Sequence, residues 1–123
     1  HILDYIRAVK LLIETKKNLV ENEIFNVGFQ NLSINQIASI VKKVTEKEFP
    51  RKKILIEYEE TNDNRSYHIN SDKIKQKLGF EPKYTIEEAI IELCNAFKNG
   101  LLPNSFDDDN YFNVKKMKNL KVV

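Results

Sequence analysis

The stretch TNDNRSYHIN, Thr61 to Asn70, sets polar and charged residues around one arginine. Asp63 stands two positions before Arg65 and Tyr67 two after it. A guanidinium presents fixed donors that suit a phosphate bidentately, and its charge does not titrate away. Asp63 could orient that fork from behind or accept a ribose hydroxyl, and Tyr67 could offer a ring or a hydroxyl. The same spacing also suits a surface arginine paired with Asp63 or Glu60, an interaction worth little. A second candidate pair is Asn26 and Gly28, in EIFNVGF. Ligands of α/β sheets favour the carboxyl ends of strands, and the plainer reading is a polar turn leading to a helix cap.

Other chemistries lack their residues. The three glycines, Gly28, Gly79 and Gly100, are far apart, so no dinucleotide or P-loop fingerprint can be built. One cysteine and two distant histidines give no metal set, and no Ser-His-acid motif is present. His1 and His68 read as incidental, and Cys94 as a core residue on the apolar side of its helix. A complete active site is not expected within these residues.

The elements that would position Arg65 can be read from periodicity. Asp4 to about Lys17 is helical in pattern, with Ile6, Val9, Leu12 and Ile13 on one face, Ala8 and Leu11 widening it, and Asp4 as an N-cap or first-turn acid. EIFNVGF reads as a short strand ending at Gly28, where a glycine suggests close approach or positive φ. NLSINQIASIVKKVTEKEF is a helix with a capping box, Ser33 with Gln36. KILIEYE is apolar and β-favouring, a second strand. SDKIKQKLG is a short helix closed by Gly79, and FEPKY a connector. TIEEAIIELCNAFKNG is a helix capped by Thr85 and Glu88 and closed by Gly100. From Leu101 the chain reads as irregular, with an acidic run and a basic one. The expected fold is therefore α/β: a small helix-rich domain with a short, two-stranded parallel sheet joined through a helix. The expected division is 1–102 as the domain and 103–123 as an irregular tail.

Composition narrows the functions. The chain has 123 residues, 41% hydrophobic and 31% charged, enough for one modest core. Its 20 basic and 18 acidic residues leave a net charge of +2, which makes no electrostatic case for nucleic acid. The Lys-rich KKVTEKEFPRKK contains two glutamates and reads as a solvated face. No apolar run approaches the roughly 20 residues of a membrane span, and a single cysteine fits a reducing cytoplasm. A chain that opens inside a helix, with a sheet of two strands, reads as a piece of something longer.

Taken together, four segments resemble the C-terminal portion of NAD-dependent epimerase/dehydratases, the extended short-chain dehydrogenase/reductase family that modifies nucleotide sugars. HILDYIRAV resembles that family's His-Val-x-Asp helix start, EIFNVG its Phe-Asn-Val-Gly strand, and LSINQIASIV its Ser/Thr-led helix. DNRSYHINSDKIKQKLGFEPKYTIEEAI resembles its Asp-x-Arg-x-Tyr element, Lys-Ile helix, Leu-Gly-aromatic end and capped final helix. The resemblance implies that Arg65 approaches the diphosphate of a nucleotide-diphosphate sugar. It implies that Asp63, with nearby polar groups such as Tyr67, helps place the nucleotide, and that Asn26 and Gly28 lie close to the cleft. It implies NAD(P) as cofactor, held by an N-terminal Rossmann half that carries the Gly-rich loop and the Tyr-x-x-x-Lys pair. Neither element has a counterpart in this chain, so the chain alone is expected to be inactive. Such enzymes are often homodimers. Two readings compete: a stand-alone, non-catalytic assembly or regulatory module, motivated by the broad apolar face of the first helix, and a nucleic-acid binder.

Overall fold

The computed structural model describes residues 1–60 and 67–121. In order, the helices are α1 (Ile2–Glu14), α2 (Lys17–Val20), α3 (Ile34–Glu48), α4 (Asp72–Leu78), α5 (Ile86–Lys98) and α6 (Asn113–Asn119), with a 3-10 turn at Asp109–Tyr111. The chain divides into two compact units, His1–Glu92 and Leu93–Val123.

Among the described residues there is no β-strand, which corrects the expected two-stranded parallel sheet. A strand exists only where a neighbour about 4.8 Å away takes up its N–H and C=O groups. Residues 23–28 and 52–60 find no such ladder. The first keeps the burial pattern of a strand: Phe25 and Val27 pack against the core while Ile24 and Asn26 face outward. Side chains take the place of the absent partner strand. The Gly28 N–H donates to Ser71 Oγ at 2.7 Å, and the same hydroxyl donates back to the Gly28 carbonyl at 3.1 Å. Asn31 Nδ2 donates to the Ile69 carbonyl at 3.0 Å, and the Ile69 N–H donates to Asn31 Oδ1 at 2.9 Å. In the second segment the Ile54 N–H donates to Glu46 Oε1 of α3 at 3.0 Å.

The core of the first unit is small. Ala8, Ile74 and Phe80 are buried, with Leu11, Phe25, Val27 and Leu78 packed against them. It joins α1, the Phe25–Val27 segment, α4 and the chain that follows α4. On α1 the inward face is Asp4, Ala8 and Leu11, at i, i+4 and i+7. Ile6 and Ile13, read from sequence as core-facing, are 54% and 78% exposed.

Asp4 is not a cap. His1 caps α1, its Nδ1 accepting from the Leu3 N–H at 3.2 Å. Asp4 is 4% exposed and fastens α1 to the connector before α5. Its Oδ2 accepts from the backbone N–H groups of Lys83 at 2.8 Å and Tyr84 at 2.9 Å, and its Oδ1 accepts from Arg7. Arg7 also donates to the Glu81 carbonyl at 3.2 Å and lies over the Phe80 ring, 5.2 Å from its centroid. Burial pushes the Asp4 carboxyl up. The N–H groups of Tyr84 and Lys83 and the Arg7 guanidinium outweigh that effect and hold it below its ordinary value.

Both capping boxes read from sequence form. Ser33 and Gln36 exchange bonds at the start of α3, and Thr85 and Glu88 at the start of α5. Gly79 ends α4 at φ 67, in the left-handed region a side chain resists. A surface network ties α4 to the loop before Ile24. Glu23 accepts from Lys73 at 2.7 Å and from Lys77, and these contacts lower its carboxyl to about 2. In the second unit, the irregular stretch expected from Leu101 contains the 3-10 turn and α6. Asp109 there pairs with Lys115 and accepts from Asn119 at 2.6 Å, so the acidic and basic runs meet in a local pair.

Two outcomes follow from this packing. Asp4→Ala leaves Arg7 and two backbone N–H groups without their acceptor and costs about 3 kcal/mol in urea unfolding. Because the folded carboxyl titrates below 3.8, its contribution is complete above that pH and disappears as the pH falls through the lower folded value. The variant therefore loses the Asp4 share of the wild type's acid sensitivity, while that of Glu23 and the other lowered carboxyls remains. At Gly28, a Cβ would stand 3.1 Å from Ile69 Cγ2 and 3.3 Å from its Cβ. Gly28→Ala then costs roughly 1–3 kcal/mol by overpacking, and the Ile69 methyl resonances shift in NMR spectra.

Candidate functional site

A cleft of about 550 Å³ opens in the first unit. One wall is Gly28, Phe29 and Asn31, the other His68 through Asp72, and Lys75, Phe80, Glu81 and Pro82 close the end. Each wall exists for a local reason. The first is the exit of the strand-like segment, brought inward by the packing of Phe25 and Val27. The second is the approach to α4, anchored by fully buried Ile74. Gly28, Phe29 and Pro82 also line a neighbouring concavity of about 360 Å³ beside His1, Asp4 and Tyr5. The Gly28–Phe29 backbone thus runs between two hollows, and Gly28 is small because Ile69 and Ser71 come close, not because of a positive φ.

The sequence-read site residues are distributed unevenly around this cleft. Gly28 lines it. Asn26 lies on the outward side of its segment and is not part of the lining. Tyr67 is 74% exposed and stands just before the wall residue His68. Asp63 and Arg65 lie outside the described residues. His68, read as incidental, lines the cleft. His1, read likewise, is part of the framework. Its ring stacks on Tyr84 at 4.8 Å, and because Nδ1 accepts from Leu3, the ring proton sits on Nε2, 3.1 Å from Glu92 Oε2.

Sequence reasoning missed Asn31 and Ser71, which bridge the two walls, and Asn70, whose Oδ1 takes the Asp72 N–H at 2.7 Å. Ser71 precedes α4 as a cap would, yet its hydroxyl goes to Gly28 and Asn70 serves the helix instead. Only the Gly28–Ser71 and Asn31–Ile69 contacts could have shown this, and they span 43 and 38 positions.

The cleft offers binding chemistry. Phe29 is 53% exposed and, with Pro82, gives an apolar surface against which a ring can lie. Hydrogen-bonding groups come from His68 and Asn70. Lys75 and Glu81 are paired at 2.6 Å. Their mutual hydrogen bond raises the ammonium and lowers the carboxyl, so the charges of this pair cancel, and Asp72 is a further acid in the lining. Among the described residues no group of three or more His, Cys, Asp or Glu is placed to hold a metal ion. The chain's glycines do not form a dinucleotide cradle: Gly28 is filled by Ile69 and Ser71, and Gly79 and Gly100 follow helices rather than open them. No helix among the described residues is long and apolar enough to cross a membrane.

Comparison with known proteins agrees with the motifs. The family model for GDP-mannose 4,6 dehydratase matches residues 1–93. A UDP-glucose 4-epimerase of Corynebacterium glutamicum is 29% identical over 102 residues, covering 82% of this chain and 30% of the relative. The chain thus spans under a third of the length of that curated relative. No solved structure matches it. With the match running from the His1 helix start through α3 and into α5, the chain belongs to the GDP-mannose 4,6 dehydratase family, within the NAD-dependent epimerase/dehydratases of the extended short-chain dehydrogenase/reductase type.

Proposed function

We propose that this chain is the nucleotide-sugar-binding part of an NAD-dependent sugar epimerase or dehydratase, and that it is inactive by itself. The observation that carries the reading is the cleft wall at His68–Asp72, which follows directly in sequence from the Asp63–Arg65–Tyr67 element. Arg65 binds the diphosphate as a fork of fixed donors. Asp63 orients that fork or accepts a ribose hydroxyl, and Tyr67 flanks the nucleotide. Gly28 lets Ile69 and Ser71 of the opposite wall come close, and Asn26 is a peripheral polar contact two residues before it. NAD(P), which supplies hydride transfer to and from the sugar when bound, belongs to a Rossmann portion outside this chain's residues. This chain's part is to bind and orient the substrate, in the cytoplasm.

The test is titration of the full-length protein with UDP-glucose and GDP-mannose. Arg65→Ala removes a charged hydrogen bond and weakens binding by about 1.5–3 kcal/mol, roughly ten- to a hundredfold. Affinity equal to wild type rejects the clamp role of Arg65.

A further inference from the structure

We propose that Phe29 is the platform of this cleft, the side chain on whose ring the base of a bound nucleotide stacks. The inference rests on the reading of the cleft as the nucleotide-sugar site.

Three observations carry it. The first is the turn of the chain at Phe29. Phe25 and Val27 alternate inward and pack against the core, so a third apolar residue at the same spacing is expected to follow them. The chain bends at residue 29 instead, just past the Gly28 backbone held by Ser71, and leaves Phe29 53% exposed. A large ring left half in water gains when a second apolar face covers it.

The second is its position. Phe29 and Pro82 together line both the cleft of about 550 Å³ and the hollow of about 360 Å³ beside His1, Asp4 and Tyr5. The ring therefore borders open space. Among the described residues, the ring and cation contacts go to Tyr84, Phe80 and Phe25, and none goes to Phe29.

The third is the state of the polar lining. Asn31 is bonded to the Ile69 backbone and Ser71 to that of Gly28. Asn70 takes the Asp72 N–H at 2.7 Å and donates to the Asp72 carboxylate at 2.8 Å, and Lys75 is paired with Glu81. A hexose carries hydroxyls on every side and needs partners for them when it leaves water. The face of a base needs none, because stacking draws on the π-face that every base has. Walls whose amides and hydroxyl are already bonded within the protein, around an exposed ring, suit the base better than the sugar. His68, exposed on the second wall, can meet one polar atom at the edge of the base.

The experiment is calorimetric titration of the full-length protein with UDP, GDP, UDP-glucose and GDP-mannose, in wild type and in Phe29→Ala, Phe29→Leu and Phe29→Trp. Wild type binds at least one diphosphate together with its sugar. Phe29→Ala weakens both members of that pair about tenfold, by the same factor, because the lost contact is with the base. Phe29→Leu keeps an apolar side chain without the π-face and loses about fivefold, whereas Phe29→Trp stays within about twofold of wild type or binds more tightly. Wild-type affinity in Phe29→Ala overturns the platform and leaves the site reading intact. A loss confined to the nucleotide sugars, with UDP and GDP bound as by wild type, puts the ring against the hexose and overturns the platform too. So does wild-type affinity in Phe29→Leu, which shows that any apolar cover suffices. If circular dichroism shows Phe29→Ala unfolded, the contrast between Phe29→Leu and Phe29→Trp decides. A wild-type protein that binds none of the four ligands removes the site reading, and the platform with it.

Discussion

The first unit is organised around one buried carboxylate. Asp4 sits on the inward face of α1 and accepts from the Lys83 and Tyr84 backbone and from Arg7. A buried anion is tolerated only when its lone pairs are used, and here three donors from two distant parts of the chain use them. The consequence is geometric. The connector after Gly79 is held against α1, and Phe80 is carried into the core beneath the Arg7 guanidinium. Phe80, Glu81 and Pro82 then close one end of the cleft. The floor of the candidate site is thus fixed from the opposite end of the sequence.

A second constraint compensates for the missing ladder. The 23–28 segment has the composition and burial rhythm of a strand, yet among the described residues it has no neighbouring strand. Its polar backbone is met by Ser71, and just beyond it Asn31 meets the backbone of Ile69. Gln30 serves a similar purpose further on, its Oε1 accepting from the Ile86 N–H at the start of α5 at 3.0 Å. Side chains from short polar stretches therefore set the spacing between segments that hydrophobic contact alone would leave loose. Only Ala8, Ile74, Phe80 and Cys94 are buried apolar residues among those described.

Local signals in the sequence were faithful where the deciding contacts are local. Ser33 with Gln36 and Thr85 with Glu88 form the boxes their spacing announces, and Gly79 ends its helix in the left-handed region. Long-range partnership was not legible. A strand pattern in KILIEYE or EIFNVGF states what would pair, not whether a partner arrives. Periodicity on α1 marked Ile6 and Ile13 as core, whereas the face that packs is the smaller Asp4–Ala8–Leu11 row, chosen by the fit of Ala8 and the donors facing Asp4. The family was legible from four motifs in order, because they mark the same caps, turns and glycines that the fold uses. Asn31 and Ser71 were not, because an asparagine before a capping box and a serine before a helix each have an ordinary local use.

The lysines of α4 add one more property. Lys73 and Lys77 reach Glu23, and Lys75 reaches Glu81, all at the solvent-facing surface. Such exposed pairs are screened within a Debye length of about 8 Å at physiological ionic strength, whereas the Asp4 cluster is shielded from salt by burial. Added electrolyte therefore loosens the outer attachment of α4 while leaving its root at Ile74 and the α1 anchor in place. The helix behind the cleft is held by two kinds of bond, one that responds to ionic strength and one that does not.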